Sequence, residues 1–197
     1  MQNKRIIVLL PVFLLLWTQT HAQKGYYQLS VGGGYEHFTQ MYKSAGWNLN
    51  IDGKYHITDY WYAAATLHCG VNNGTKTEYH EVYGITEKYR LDNTLREYLL
   101  GIGPGVNFLR DGNRWAYLHA LIGYGWGEEL KSEWGNNVPE NIPVSFRNGL
   151  GGAISLGYDY QPNSWIFGAA LNTYYIGDRI NVSLNLKVGF FLSGIIF

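Results

Sequence analysis

The chain alternates between apolar and polar residues over most of its length, and its last stretch does so most clearly. From Ile180 to Leu192 every even-numbered residue is apolar, whereas the residues between them are mostly polar or small. Successive side chains of a strand point to opposite sides, so this period of two predicts a strand with one apolar face. The stretch exceeds the roughly five or six residues of an ordinary strand, and a tilted strand needs roughly 9–11 residues to cross a membrane.

The same alternation recurs along the chain and predicts eight strands. Their predicted ranges are 26–37, 46–57, 61–70, 96–109, 114–126, 145–160, 164–175 and 180–192. Tight turns at 58–60, 110–113 and 161–163 alternate with loops at 38–45, 71–95, 127–144 and 176–179. Membrane barrels have an even strand number, short turns on the periplasmic side and longer loops outside. The pattern therefore predicts an all-β fold, an eight-stranded antiparallel up-and-down transmembrane β-barrel with both termini in the periplasm.

Two local signals qualify this pattern. Asn72-Asn73-Gly74 is typical of a turn, so the chain is expected to turn there, at the start of the long polar segment 71–95. Pro104 has no N–H to donate to a neighbouring strand, so we expect a bulge or a local gap in the ladder at that position.

The N-terminus has the pattern of a secretory signal peptide. Lys4 and Arg5 precede an apolar run from Ile6 to Trp17, and the small residue Ala22 follows. The run is too short for a membrane-spanning helix, which needs about 20 residues. The expected division is a signal peptide over residues 1–22 and one barrel domain over residues 23–197.

Composition narrows the class further. Charged residues make up 15% of the chain, against about 25% in typical soluble domains, and aromatic residues make up 16%. The formal charge is balanced, which gives no electrostatic reason to expect nucleic acid as a partner. Cys69 is the single cysteine, so no internal disulfide framework is possible.

The direction of the apolar face separates a membrane barrel from a soluble, lipocalin-like one. A lipocalin-like barrel places apolar residues inside and charged residues outside. Here the polar faces hold mostly Gly, Ser, Asn and Ala, which suits a narrow barrel interior better than a water-exposed surface. Aromatic residues near the strand ends on the apolar face are expected at the membrane interfaces. They are Trp47, Trp61, Tyr98, Trp126, Tyr158 and Trp165.

These features resemble the OmpX and OmpA-transmembrane class of small outer-membrane barrels, and the porin-family outer-membrane β-barrel proteins of Bacteroidetes. The resemblance implies a location in the outer membrane of a Gram-negative bacterium, contact with membrane lipid and no cofactor. It also implies that the barrel-assembly machinery recognises the terminal strand and its C-terminal aromatic, Phe197. Ser193-Gly194-Ile195-Ile196 separates Phe197 from the alternating stretch, which departs from the family pattern.

Several charged residues fall on the polar faces and are predicted to point into the barrel. They are Glu36, Asp52, Lys54, Glu97, Arg147, Asp159 and Lys187. Buried charges must be paired or hydrogen-bonded, so we interpret them as a polar network that fills the lumen. A narrow pore for small solutes is the alternative interpretation. The histidines show no metal-ligand spacing, and no metal site is predicted.

The two long loops are the main candidates for function, since binding residues often lie on loops that a rigid scaffold positions. The segment 71–95 is hypothesised to form a β-hairpin above the membrane. The binding candidates are Tyr79, Tyr83, Tyr89 and Trp134. The leading hypothesis is a non-enzymatic barrel that acts as a structural component or binds an envelope or extracellular protein. An outer-membrane lipid-modifying enzyme is a further alternative.

Overall fold

The computed structural model describes residues 25–39, 41, 43–82, 85–135, 138–139 and 144–192. The predicted signal peptide and Phe197 lie outside these residues. The described strands are β1 (Tyr26–Phe38), β2 (Ala45–His56), β3 (Trp61–Val82), β4 (Ile85–Asp111), β5 (Arg114–Gly135), β6 (Val138–Pro139), β7 (Val144–Tyr160), β8 (Trp165–Ile176) and β9 (Arg179–Leu192). Among the described residues, no helix is long and apolar enough to cross a membrane.

Eight long strands close into one antiparallel barrel. The strand order runs β4-β3-β2-β1-β9-β8-β7-β5, and a further ladder between β4 and β5 closes the ring. Among the described residues, the two-residue strand β6 pairs with the end of β5 alone, and Trp134 is paired with Pro139. Each strand pairs with its antiparallel neighbours, so the predicted eight-stranded up-and-down barrel is confirmed.

The apolar faces point outward. On β9, the exposed fraction is 74% for Leu186 and 6% for the adjacent Lys187. The same contrast recurs on β1, where Leu29 is exposed and its neighbours Gln28 and Ser30 are buried. An apolar exterior and a polar interior exclude the lipocalin-like alternative, because exposing this much apolar surface to water is unfavourable, whereas lipid covers it.

The strands extend further than the alternation predicts on one side of the barrel. β3 and β4 pair continuously from Trp61↔Val106 to Val82↔Ile85, and β4 pairs with β5 as far as Arg90↔Trp134. The predicted turn at Asn72-Asn73-Gly74 is therefore wrong. Asn73 pairs with Thr94 and Gly74 with Asn93, so the chain continues as a strand there. The hypothesised hairpin over 71–95 agrees with the structure.

The ladder between β4 and β5 is interrupted near Pro104. In the described β4–β5 ladder, pairing stops after Ile102↔Ile122 and resumes at Gly105↔His119, which is the gap expected from the missing proline N–H. A bulge follows, because Phe108 is an extra residue between the pairs of Asn107 and Leu109.

Side chains fill the interior. A buried cluster of aromatic and aliphatic residues, including Tyr62, Leu99, Tyr117 and Tyr174, lies among polar side chains in the lumen. Gly105 makes room for one of them, since a Cβ at Gly105 would lie 2.2 Å from the Tyr62 ring. Eight strands leave an interior that side chains can fill, so the lumen of the described barrel is packed.

Candidate functional site

The inner half of the lumen contains a buried ion-pair cluster around Asp159. The Lys187 ammonium lies 2.7 Å from Asp159 Oδ1, and the Lys54 ammonium lies 3.2 Å from Asp159 Oδ2. Lys187 also donates a 2.7 Å hydrogen bond to Tyr117 Oη, and Lys54 lies 3.4 Å from the centre of the Tyr117 ring. Because all four side chains are buried, these contacts replace the hydration that each charge loses.

The middle of the lumen combines Glu36 with polar and aromatic side chains. His68 Nε2 lies 3.5 Å from Glu36 Oε1, and His68 Nδ1 lies 2.7 Å from Asn50 Oδ1. The His68 ring stacks on Tyr174 with 3.8 Å between ring centres, and Tyr174 Oη accepts a 2.9 Å hydrogen bond from Asn50. Asp52 lies nearby, half-buried, and accepts a hydrogen bond from Thr66.

The outer end of the lumen is closed by Arg179. Its guanidinium binds Glu129 and lies 3.6 Å from Glu97. Asn181 donates a hydrogen bond to Glu97, and Asn93 donates a 2.9 Å hydrogen bond to Glu129. Arg179 thereby connects the start of β9 to β4 and β5 at the base of the strand extensions.

Glu129 lies beyond the aromatic end of β5, outside the membrane-spanning part of the strand. Burial raises the pKa of its carboxyl, but the hydrogen bonds from Asn93 and Arg179 outweigh burial and lower the pKa to about 2. The carboxylate is therefore charged at neutral pH.

Arg179 and Glu129 are absent from the predicted network because both lie in ranges predicted as loops. Both residues fall on the lumen side when the two-residue period is continued past the predicted strand ends. Arg179 shares the parity of Asn181 and Ser183 on β9, and Glu129 that of the buried Leu121 on β5.

Arg147 is not part of the lumen network, contrary to the prediction. Its side chain is exposed and binds Asp178 in the turn between β8 and β9. The period of two assigns Arg147 to the lumen side of β7 correctly. However, the described pairing of β7 with β8 ends at Gly151↔Ile176, so Arg147 lies above the closed part of the barrel. The other six predicted residues, Glu36, Asp52, Lys54, Glu97, Asp159 and Lys187, lie on the lumen side of the closed barrel.

The six aromatic residues predicted at the membrane interfaces lie on the outer face at both ends of the barrel. Trp47, Tyr98 and Trp126 lie toward the extended end, and Trp61, Tyr158 and Trp165 lie toward the tight-turn end. Tyr98 and Trp126 face each other on β4 and β5, and their rings stack with 5.2 Å between centres. Their positions suit headgroup contact, which stays a prediction.

Above the outer aromatic residues, four strands continue as an open sheet. We call the segments 72–82 of β3, 85–95 of β4, 127–135 of β5 and 144–147 of β7 the outer sheet. At roughly 3.3 Å per residue, the β3 segment is about 36 Å long. β2 pairs with β3 only as far as Trp47↔Val71, and β8 pairs with β7 only from Gly151 onward. Among the described residues, the outer sheet thus has two edges without a neighbouring strand.

Three of the four loop candidates lie in the outer sheet. Tyr79 on β3 is 67% exposed, Tyr89 on β4 pairs with Glu78, and Trp134 on β5 pairs with Arg90. Tyr83 lies outside the described residues. In the part of the chain that the structure describes, no group of three or more His, Cys, Asp or Glu side chains has the geometry to hold a metal ion.

Comparison with known proteins identifies the fold. No protein-family model and no curated relative matches the chain. Among solved structures, Ail, the attachment invasion locus protein of Yersinia pestis, in complex with the heparin analogue sucrose octasulfate, superimposes with a TM-score of 0.59 at 16% identity. That match covers 86% of this chain and 100% of Ail. A second Ail structure superimposes with a TM-score of 0.55 at 15% identity over 86% of this chain and 100% of Ail.

The fold and the apolar outer face define the class of protein. A closed antiparallel barrel with an even strand number, an apolar exterior, tight turns at one end and long extensions at the other is an outer-membrane β-barrel. The resemblance to small eight-stranded outer-membrane barrels is thus confirmed at the level of the fold.

Proposed function

We propose that this protein is a non-enzymatic component of the Gram-negative outer membrane that binds a protein partner through its outer sheet. The observation that carries the proposal is the outer sheet itself, four strands that continue beyond the barrel and, among the residues that the structure describes, have two edges without a neighbouring strand. Exposed edges present backbone N–H and C=O groups that natural proteins otherwise cover, so retaining two of them suggests use in recognition.

Side-chain contacts connect the base of the outer sheet to the barrel. Glu129 and Asn93 belong to the outer sheet. Glu129 binds Arg179 on β9 directly, and Asn93 donates a hydrogen bond to Glu129. Asn72 donates hydrogen bonds of 2.7 and 3.0 Å to the carbonyls of Lys43 and Ala45, which fixes the base of β3 to the loop after β1. A preformed surface loses less conformational entropy when it binds.

The packed lumen weighs against the alternative of a narrow pore. The Asp159 cluster, the His68–Tyr174 stack and the Arg179 cluster occupy three successive levels of the interior. An ion would have to displace buried, paired charges to pass, which is costly. No specific observation favours a lipid-modifying enzyme.

Ail was solved with a heparin analogue, but the outer segments here do not favour a polyanion. Acidic residues outnumber Lys and Arg in the segments 71–95 and 127–144. Binding of a polyanion relies on a basic surface. The name of Ail, the attachment invasion locus protein, supports the coarser proposal that a small outer-membrane barrel can act in attachment.

A shortened variant tests the proposal. Asn72 pairs with Leu95 and Gly127 pairs with Arg147, so replacing residues 73–94 and residues 128–146 each by Asn-Gly closes β3 to β4 and β5 to β7 with two-residue hairpin turns and removes the outer sheet. Cells that display the intact chain are compared with cells that display the shortened one for adhesion to immobilised collagen, fibronectin and laminin. A gel of unboiled and boiled samples verifies that both barrels are folded. We expect adhesion only with the intact chain. Equal adhesion by both, or none above cells without the protein, would overturn the proposal.

A further inference from the structure

Glu36 is a buried carboxylate that pairs with none of the lysine or arginine side chains in the described lumen. Its exposed fraction is 0%. Those cations contact other carboxylates: Lys54 and Lys187 lie against Asp159, and Arg179 lies against Glu97 and Glu129. Leaving a buried charge uncompensated is costly. The charge of Glu36 therefore has to be balanced from another source.

His68 contacts Glu36 without satisfying it. His68 Nε2 lies 3.5 Å from Glu36 Oε1, and neither atom has a hydrogen-bond partner among the described residues. Asn50 donates through its amide nitrogen to Tyr174, so its oxygen faces His68 Nδ1 at 2.7 Å. An oxygen acceptor at that distance assigns the hydrogen of the neutral ring to Nδ1. Nε2 then carries a lone pair and has no N–H to donate to Glu36.

Two asparagines border the same part of the lumen. Gly70, Asn48, Gly34 and Asn185 lie in one row across β3, β2, β1 and β9. The two glycines leave room over the wall, and the neighbouring side chains extend into it. Asn185 Oδ1 would lie 3.0 Å from a Cβ at Gly34, and Glu36 Oε2 would lie 2.8 Å from a Cβ at Gly70. The tips of Glu36 and Asn185 thus lie over the glycines on the two sides of Asn48.

The polar atoms of these three side chains are unpaired within the described chain. Both carboxylate oxygens of Glu36 and both amide atoms of Asn48 and Asn185 have no hydrogen-bond partner there. Asn48 is 3% exposed and Asn185 is 2% exposed. Buried polar groups are as a rule satisfied by protein, water or an ion. Because neither amide is engaged, each asparagine can present its oxygen, so the site offers a carboxylate and two amide oxygens.

We infer that Glu36, Asn48 and Asn185 bind a monovalent metal cation, Na⁺ or K⁺, inside the lumen. Carboxylate and amide oxygens are the ligands that hard cations take. One monovalent ion balances the single carboxylate. A divalent ion would leave an excess positive charge buried, and Ca²⁺ takes roughly six to eight oxygen ligands.

The cation would connect the strands that close the barrel. β1 and β9 are the first and last described strands, and their ladder joins the two ends of the sheet. Glu36 lies on β1, Asn48 on β2 and Asn185 on β9, so one ion contacts both sides of this closure. The ion is therefore a stabiliser of the folded barrel. This inference is independent of the proposed function.

The dependence of stability on the salt cation tests the inference. The full chain is unfolded by urea in phosphatidylcholine vesicles at constant pH and ionic strength, while NaCl or KCl replaces choline chloride. A ligand that binds only the folded state raises stability with its concentration. Once the site is saturated, a tenfold increase in Na⁺ or K⁺ is expected to raise the ratio of folded to unfolded protein about tenfold, or about 1.4 kcal/mol. Equal stability in all three salts would overturn the inference, and would leave ordered water or a proton between Glu36 and His68 as the explanation.

Variants locate the ion. Glu36→Gln removes the charge and Asn185→Leu removes an amide at similar size, so both are expected to abolish the dependence on Na⁺ or K⁺. The matched control is Asn107→Leu, at a buried asparagine near the tight-turn end whose amide contacts the carbonyl of Asp59. It is expected to keep the dependence. The gel shift between unboiled and boiled samples checks that each variant is folded. A dependence that survives Glu36→Gln, or that Asn107→Leu also removes, would overturn the assignment.

A heavy monovalent ion locates the site without any variant. Crystals of the natural protein grown with thallous acetate are measured by anomalous diffraction. We expect a peak in the lumen between Glu36, Asn48 and Asn185. A cation-dependent stability with a thallium peak elsewhere would place the ion at another site and overturn the inference.

Discussion

The carboxylate of Asp159 on β7 reaches the ammonium of Lys187 on β9 across the whole width of β8. The three strands place Asp159, Gly168 and Lys187 in one row, with Gly168 in the middle. Both charged side chains extend over Gly168 and meet at 2.7 Å. The pair joins strands that have no direct ladder, so it connects the wall through the lumen as well as along the sheet.

Removing the negative charge from this cluster is expected to destabilise the barrel strongly. Asp159→Asn leaves Lys54 and Lys187 buried without the carboxylate that both contact. Breaking one partner of a buried ion pair costs about 3–5 kcal/mol, because the remaining charge is uncompensated. Urea titration of the refolded barrel in lipid vesicles measures the loss. Asp178→Asn, at the exposed pair with Arg147, is the control and is expected to have a much smaller effect. Similar losses for the two variants would contradict a dominant role for burial.

Adding a single methyl group at Gly168 is expected to disrupt the same row. A Cβ there would lie 2.4 Å from Asp159 Oδ1 and 2.6 Å from the carbonyl oxygen of Tyr158. Overpacking of this kind costs about 1–3 kcal/mol. At Gly53, by contrast, the nearest atom to a new Cβ is 4.0 Å away. Gly53→Ala should therefore stabilise the strand by roughly 0.5–1 kcal/mol, since glycine is entropically unfavourable in strands. Opposite signs in the same unfolding assay are the expected result, and a destabilising Gly53→Ala would show that the Gly168 effect is not specific to crowding.

The membrane-spanning strands could be predicted because the two sides of the wall have different environments. Lipid requires apolar residues on one face, and the crowded lumen selects small or polar residues on the other, so residues such as Leu186 and Lys187 alternate strictly. The direction of the faces followed from the same contrast. The alternation therefore predicts only the part of each strand that lies between lipid and lumen.

The outer sheet could not be predicted as fully because both of its faces are exposed above its base, where the consecutive residues Thr75, Lys76 and Thr77 are all exposed. Residues 72–82 of β3 show no apolar period, and Asn72-Asn73-Gly74 has the composition of a turn while continuing as a strand. The two-residue period also predicts which face of the sheet a residue occupies, but it does not predict how far along the barrel axis the residue lies. The period predicts the correct side of β7 for Arg147 but not its position above the barrel rim, and the predicted strand ends before Arg179, which closes the lumen.

The cost in stability of a charged residue on the outer face is expected to depend on its depth in the membrane. Leu186 lies near the middle of β9 and is 74% exposed, whereas Ile180 lies at the outer end of the same strand. An arginine at the bilayer midplane of a barrel costs about 2–4 kcal/mol, and one near the interface costs roughly 0–1 kcal/mol. Leu186→Arg and Ile180→Arg are compared by urea unfolding in lipid vesicles. Equal costs at the two positions would mean that lipid does not cover the middle of β9.

Acid should weaken the outer closure of the lumen through Glu129. In the folded protein its pKa is lowered from 4.5 to about 2, so the folded state binds this proton less readily than the unfolded state does. The stabilisation from ionised Glu129 is therefore complete above about pH 4.5 and is lost as the pH falls toward 2. Glu129→Gln removes this titration while keeping a side chain of similar size. The difference in unfolding free energy between the natural protein and Glu129→Gln is expected to favour the natural protein at neutral pH and to shrink between pH 4.5 and 2. A difference that stays constant across this range would show that the Glu129 carboxyl is not held in its charged form by Asn93 and Arg179.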